Sequence, residues 1–396
     1  MPIPSPFHPR TQAACVSLRF KDWAGYYAVC AYDTYVEREY FAFRHAAGII
    51  DVTPLYKYEV RGPDAEALLC RVMARNIAKL KVGQVAYGCW CDDDGKLLDD
   101  GTVSRLDEQA YRVTAAEPSL AWFCTNSGDL DVTIEDSTDR IAALSVQGPC
   151  ARDLLTQCCD APLDNLRFFR LTRATLDGAD VVITRTGYTG DLGYEIWADA
   201  GDALRVWDAV MDAGRPLGAL PAGLDAMDIT RIEAGFVMNG VDYHSANHCL
   251  IESRKSTPYE AGLGWTVHLD REPFIGQTAL RHEKHNGPAR RLAGLVMDWD
   301  EFEALFARYN LPPEVCTSAW RTSIPIYNRD GRQVGYATSG AWSPTLKQNL
   351  VLATLDAPHG QPGEWLRMEV TVEHTRHQVG VVVTDRPFFD PPRKRS

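Results

Sequence analysis

The sequence predicts an α+β fold that ends in an all-β, barrel-like module. Three observations carry this. Up to about residue 286, period-2 alternation and helical spacing interleave, and paired strands are joined by tight turns rather than by long helical crossovers. From about residue 290 the helical spacing gives way to short β-rich runs between Gly, Pro and Asp turns. The chain has 396 residues, 45 % of them hydrophobic, which exceeds what one core holds and sets about two or three domains.

Taken in order, YVEREYFAFRHAA (35–47) has helical spacing. IIDVTPLYKYEVRGP (49–63) alternates and stops at a Gly-Pro turn. DAEALLCRVMARNIAKL (64–80) reads as a helix with Asp64 as N-cap. VGQVAYGCWCDDDGKLLDDGTVSRL (82–106) reads as a hairpin around an Asp-Asp-Gly turn. YRVTAAEPSLAWF (111–123) is a strand followed by a helix, and RIAALSVQGPCARDLLTQC (140–158) is a strand, a Gly-Pro turn and a helix. ADVVITRTGYTGDLGYEIWAD (179–199) is two strands around a glycine-rich turn, in which Gly187, Gly190 and Gly193 supply the tight geometry. ALRVWDAVMDAG (203–214) and DAMDITRIEAG (225–235) are helices, each stopped by a C-terminal glycine. After HNGPARR (285–291), the runs RRLAGLVMDW, SIPIYNRDGRQVGYATSG, NLVLATL and EWLRMEVTVEHTRHQVGVVVTD are short strands. This places a boundary between 1–286 and 287–396.

Composition narrows the function classes. The net charge of −12 argues against a duplex nucleic-acid partner, which needs a basic face for phosphates. The basic run Arg393-Lys394-Arg395 is expected to be a solvated terminus. No apolar run approaches the ~20 residues that span a bilayer, and MPIPSPFHPR has no apolar signal core, so the expected location is the cytoplasm without membrane contact. Eleven cysteines, with no CxxC pair, suggest reduced thiols. His244 and His248 are spaced i, i+4 without the glutamate of an HExxH site, and no metal site is expected.

Two acidic positions stand out. Asp99 and Asp100 follow the turn of the 82–106 hairpin, and adjacent strand residues face opposite sides, so only one of them faces a given pocket. Each also fits a turn acid that caps local N–H groups. Glu195 ends GYTGDLGYE, and its residue-level alternative is a strand carboxylate paired with Arg185.

Seven segments in order resemble the glycine-cleavage T-protein (aminomethyltransferase) family: VRGPDAEALL (60–69), GQVAYGCWCDDDGKLLDDGTV (83–103), LSVQGPCARDLL (144–155), TRTGYTGDLGYEIW (184–197), GLDAMDITRIEAG (223–235), PYEAGLGWTV (258–267) and GYATSGAWSPTLKQNL (335–350). The resemblance implies a three-domain cloverleaf around a central hole that holds tetrahydrofolate: a folate-binding region over 1–286, made of two intertwined α+β domains, and a C-terminal barrel over 287–396. It implies that Glu195 grips the pterin, that Asp100 lies by the reactive folate nitrogens as a catalytic and binding group, and that Tyr87 and Tyr188 pack on the folate. Tyr243 and His244 are expected on the substrate side, as candidates to contact or protonate the leaving group.

The chain departs from the family pattern where the donor sits. Asp51-Val52-Thr53-Pro54-Leu55 replaces DVSHM, Met227 replaces an arginine, Thr114 replaces an asparagine in the folate site, and the 243–257 loop is longer. These changes favour a small methylated donor, such as a methoxy-aromatic, sulfonium or N-methyl compound, over a lipoyl carrier protein. The expected activity is therefore a tetrahydrofolate-dependent methyl transfer. The alternatives are aminomethyl transfer giving 5,10-methylenetetrahydrofolate and ammonia, and folate binding without catalysis. The last is disfavoured because the K-G-C-Y-x-G-Q motif of non-catalytic relatives is absent.

Overall fold

The computed structural model describes all residues, 1–396. It contains a two-stranded antiparallel hairpin, Arg19–Trp23 with Tyr26–Ala31, two larger antiparallel-rich sheets and a closed barrel. The first sheet has five strands in the order Val85–Cys91, Leu97–Asp107, Ala110–Ala115, Tyr56–Arg61 and Thr133–Asp136. The second has six, in the order Leu171–Leu176, Ala179–Thr184, Gly193–Asp199, Ile141–Gln147, Gly48–Asp51 and Leu220–Pro221, with only the last pair parallel. The barrel closes through Arg290–Met297, Gln348–Asp356, Gln333–Ser343, Ile324–Tyr327, Trp365–Val372 and Thr375–Thr384. Closure removes the sheet edges that a short β module would otherwise expose. The α+β class with a terminal barrel agrees with the sequence reading.

The helices Val36–His45, Ala151–Cys158 and Leu224–Glu233 fall where helical spacing predicts. Gly235 follows the last of these at φ +67°, the left-handed geometry that a stop glycine supplies. Gly214 differs. It is the last helical residue, and the left-handed position comes later, at Gly218 with φ +75°. Gly214 is instead small for packing, because a Cβ there would lie 2.7 Å from Ala219 and Leu154.

Other expectations are corrected. The helix expected over 64–80 stops at Val72, and a short 3-10 turn follows at Ile77–Lys79. Asp64 does not cap it by side chain; its carboxylate accepts the Asp131 N–H at 2.8 Å and ties down the 128–132 loop. Three helices were not anticipated. His8–Ala14 carries Pro at its start, Gln277–Asn286 leads into the domain boundary, and Trp299–Ala307 lies inside the β-rich third. The last has its own signals: Asp298 accepts the Glu301 N–H at 2.9 Å, and Phe302, Leu305 and Phe306 pack on Val372 and Val379 of the barrel.

The basic C-terminal run is solvated only at Arg395. Arg393 forms a two-point ion pair with the buried Asp191 at 2.7 and 2.8 Å, and Lys394 is buried with its ammonium 5.1 Å from the Phe236 ring centre. Charge composition cannot anticipate a buried acid 202 residues away waiting for that arginine.

The two sheets face each other. The Arg112 guanidinium sits 5.8 Å from the ring centre of Trp197, so the face of Ala110–Ala115 that carries Arg112 opposes the face of Gly193–Asp199 that carries Trp197. Because strands alternate, Thr114 shares the first face and Glu195 the second.

Candidate functional site

Pairing register extends these faces. Tyr87 pairs with Thr102 and Cys89 with Asp100, so Tyr87, Asp100 and Thr102 share a face. Thr102 meets Thr114 hydroxyl to hydroxyl at 2.7 Å, which adds Thr114 to the same row. Opposite, Glu195 pairs with Thr184 on one side and Ser145 on the other. Tyr87, Asp100 and Thr114 thus look across the same intersheet space as Glu195.

Asp100 is the centre of the first face. Tyr87 donates its phenol hydrogen to Oδ2 at 2.7 Å, and Tyr243 donates to Oδ1. Burial raises the Asp100 proton affinity, the two phenols oppose this, and the charge on Asp242 adds to the rise. Tyr243 is buried, and it reaches Asp100 because its segment is laid along the hairpin: Ala246 N–H donates to the Leu97 carbonyl at 2.8 Å, and Leu97 N–H to Ser256 at 2.9 Å.

Asp99 points away. Its carboxylate accepts the N–H groups of Asp100, Ala116 and Glu117 at 2.8–2.9 Å and the Asn239 amide at 2.9 Å. These donors suit an ionised carboxylate. Burial, and secondly the Asp100 charge, nevertheless push its pKa upward. Alternation along the strand therefore separates the two acids as the sequence predicts.

Glu195 holds the other face. One oxygen accepts Thr186 at 2.6 Å and Thr184 at 3.5 Å; the other accepts no hydrogen bond from the chain. Burial raises its proton affinity and the two threonines lower it. Arg185, the alternative partner, turns instead to the Leu166 carbonyl at 2.9 Å.

The glycine-rich turn works differently from the expectation. Only Gly190 takes a left-handed conformation, at φ +73°. Gly187 and Gly193 are glycines because the buried Gln147 side chain lies against both; a Cβ on either would sit 1.9 Å from its Oε1. Gln147 in turn donates to the carbonyls of Thr186 and Tyr194 at 3.1 and 3.3 Å, which sets the Thr186–Glu195 geometry. Tyr188, at the tip, donates to the Val237 carbonyl and stacks on Phe236 with ring centres 5.6 Å apart.

His244 is exposed and hydrogen-bonds to nothing in the chain, so of the Tyr243–His244 pair only Tyr243 joins Asp100. His248 lies 3.5 Å from Glu117 at the surface, and no group of three or more metal-ligating side chains occurs.

Residues that sequence reasoning missed hold the barrel to this site. Asp242, next to Tyr243, accepts Thr338 and Ser339 of the TSG motif at 2.5 and 2.7 Å and pairs with the buried Arg231. Glu233 accepts Tyr40 and Ser343 at 2.5 Å and pairs with Arg44. The signal was the polar TSGAWSPT stretch itself, whose hydroxyls need buried partners inside a β run.

A family model described as the GCVT N-terminal domain matches residues 7–271, and the glycine cleavage T-protein C-terminal barrel domain matches 290–390. The chain belongs to the glycine-cleavage T-protein family. T-protein family members are folate-dependent transferases, and this chain is one by descent. Similar relatives include an aminomethyltransferase of Halothermothrix orenii, 35 % identical over 89 % of this chain and 92 % of that one. A trimethylamine-oxide aldolase of Ruegeria pomeroyi is 36 % identical over 90 % of this chain but 43 % of its own length. The glycine cleavage system aminomethyltransferase T of Bartonella henselae shares the fold, with a TM-score of 0.83 at 23 % identity over 98 % of this T-protein family chain and 99 % of that one. No helix is long and apolar enough to cross a membrane.

Proposed function

We propose that the chain is a tetrahydrofolate-dependent methyltransferase that draws the methyl group from a small methylated donor. The observation that carries it is Asp100, clamped by two phenols on the face opposite Glu195. These residues fit a reduced pterin. Glu195 keeps one carboxylate oxygen unengaged, and a carboxylate with its other oxygen anchored is a fixed acceptor for adjacent ring N–H and amino donors. Tetrahydrofolate, when bound, supplies the nucleophilic nitrogen that takes the one-carbon unit.

The chain's residues orient, exclude water and manage charge. Glu195 fixes the pterin plane, while Tyr87 and Tyr188 wall the space. Asp100 stabilises positive charge or holds a proton at its carboxylate. Tyr243 fixes Asp100 by donating its single phenol hydrogen to it, so a leaving group that needs a proton would draw it from this hydrogen-bonded pair. The segment that delivers Tyr243 is seated along the Leu97–Asp107 strand, which favours a small enclosed donor over a carrier arm. The named action of one relative on trimethylamine oxide is in keeping with a small methylated substrate.

A second reading, aminomethyl transfer from a lipoyl carrier, is favoured by relatives named aminomethyltransferase at 32–35 % identity over most of the chain. Incubating the enzyme with tetrahydrofolate and each donor class decides between them. Methyl transfer yields 5-methyltetrahydrofolate without ammonia. Production of ammonia and 5,10-methylenetetrahydrofolate from the carrier-bound aminomethyl group alone would replace the first reading by the second.

A further inference from the structure

One basic cluster on this acidic chain makes no ion pair, although the exposed Asp270 and Glu272 flank Arg271 in sequence. Arg75, Lys79, His268 and Arg271 come from two segments, 75–79 and 268–271, that are stitched together: His268 N–H donates to the Ala74 carbonyl at 3.0 Å, Asn76 N–H donates to His268 Nδ1 at 3.3 Å, and Arg271 donates to the Cys70 and Met73 carbonyls. None of the four lies within salt-bridge distance of a carboxylate, although 24 other ion-pair contacts occur in the chain. Burial first, and then the charges of Arg75, Arg271 and Lys79, depress the His268 pKa. A cationic group without a direct carboxylate partner, on a chain of net charge −12, is open to an anionic visitor.

The cluster adjoins the site. Val85–Cys91 is an edge strand, and the Arg75 stem wraps around it at Gly88, where a Cβ would come within 3.2 Å of Arg75 Cβ. Arg75 Nη1 then donates to the Tyr87 carbonyl at 3.1 Å, its only hydrogen bond. The guanidinium lies 5.7 Å from the ring centre of Trp265, and Trp265 stacks on Tyr87 with centres 5.8 Å and planes 21° apart. Trp265 is 60 % exposed, an unusual state for an indole with one face already packed. Its free face, the unengaged guanidinium nitrogens and the Tyr87–Asp100 pair form one continuous shelf.

We infer that Arg75 and Trp265 form a carboxylate-binding subsite at the mouth of the site, with Arg75 taking the anion and the indole supporting the planar or aliphatic group that bears it. Lys79, His268 and Arg271 supply the surrounding positive field. The inference rests on the proposed one-carbon function for its setting. Two ligands carry such a carboxylate: the glutamate tail of the folate, and a donor that is itself an acid.

Titration calorimetry on the full chain and on Arg75→Met separates these. The probes are tetrahydrofolate against tetrahydropteroate, which lacks the glutamate, and benzoate against benzamide. The substitution keeps the aliphatic stem over Gly88, and a far-UV spectrum matching the parent establishes that it folds. The expected result is a loss of about tenfold for at least one carboxylate-bearing probe, with its carboxylate-free counterpart unchanged. Loss confined to tetrahydrofolate assigns the shelf to the tail; loss confined to benzoate assigns it to the donor. Trp265→Ala is expected to weaken the same probe, and Arg75→Lys to restore part of the affinity. Equal affinities of parent and Arg75→Met for both acids overturn the inference. A parent that binds no reduced folate refutes the proposed function instead, and the benzoate pair still decides the shelf.

Discussion

Asp99 and Asp100 are neighbours on one strand, and their carboxylates serve opposite sides of the sheet. Asp99 takes three backbone N–H groups and the Asn239 amide inside the protein, whereas Asp100 takes two phenols facing the second sheet. Alternation along a strand turns one dipeptide into a structural acid and a candidate site acid.

Asp100→Asn is expected to lower turnover roughly a hundredfold or more and to leave the tetrahydrofolate Kd nearly unchanged. Steady-state rates and calorimetry on the same preparation measure both. A correctly folded Asp99→Asn that loses more turnover than Asp100→Asn would refute the assignment.

Asp99→Ala removes a buried acceptor and leaves the donors at Asp100, Ala116, Glu117 and Asn239 without it. Stability should fall by at least about 1–3 kcal/mol. Urea denaturation of the variant against Asp100→Asn reads the contrast, since removing the Asp100 charge does not orphan a backbone group.

The pH dependence follows from burial. Burial disfavours the charged form of Asp100, so its proton leaves at a higher pH than that of an ordinary carboxylate. Below that pKa the neutral acid is a weaker acceptor for the two phenols and no longer supplies negative charge to the site. The acidic limb of kcat/KM should therefore rise with a midpoint above about 4, the ordinary aspartate value. Tyr87→Phe and Tyr243→Phe each remove a donor to the ionised form, so the limb should move to higher pH. A move to lower pH would show that the phenols do not stabilise the ionised acid.

Glu195→Ala should weaken tetrahydrofolate binding by about 2–4 kcal/mol, the loss of a two-point charged acceptor. Circular dichroism should stay unchanged, because the carboxylate bonds only to the Thr184 and Thr186 hydroxyls within the chain. Unaltered affinity would remove the pterin from this position.

Ser343→Ala, and Thr338→Val with Ser339→Ala, strip acceptors' partners from Glu233 and Asp242. Each change should cost about 1–3 kcal/mol and speed proteolysis near residues 285–291, where the barrel joins the rest of the chain. Unaltered proteolysis would mean that other contacts seat the barrel.

Much of this protein was legible along the chain. Period-2 runs and turn residues were enough for the hairpin of Val85–Cys91 and Leu97–Asp107, for the strands flanking GYTGDLG, and for the barrel strands, because those patterns are local. Alternation also separated Asp100 from Asp99. What only the tertiary structure decided was every partnership across distance. Gln147 dictates Gly187 and Gly193; Asp191 captures Arg393; Tyr243, 143 residues away, reaches Asp100; and Asp242 and Glu233 receive the barrel's hydroxyls. The physical reason is that periodicity reports which face a side chain occupies, whereas the identity of a buried polar partner depends on which distant surface is folded against that face.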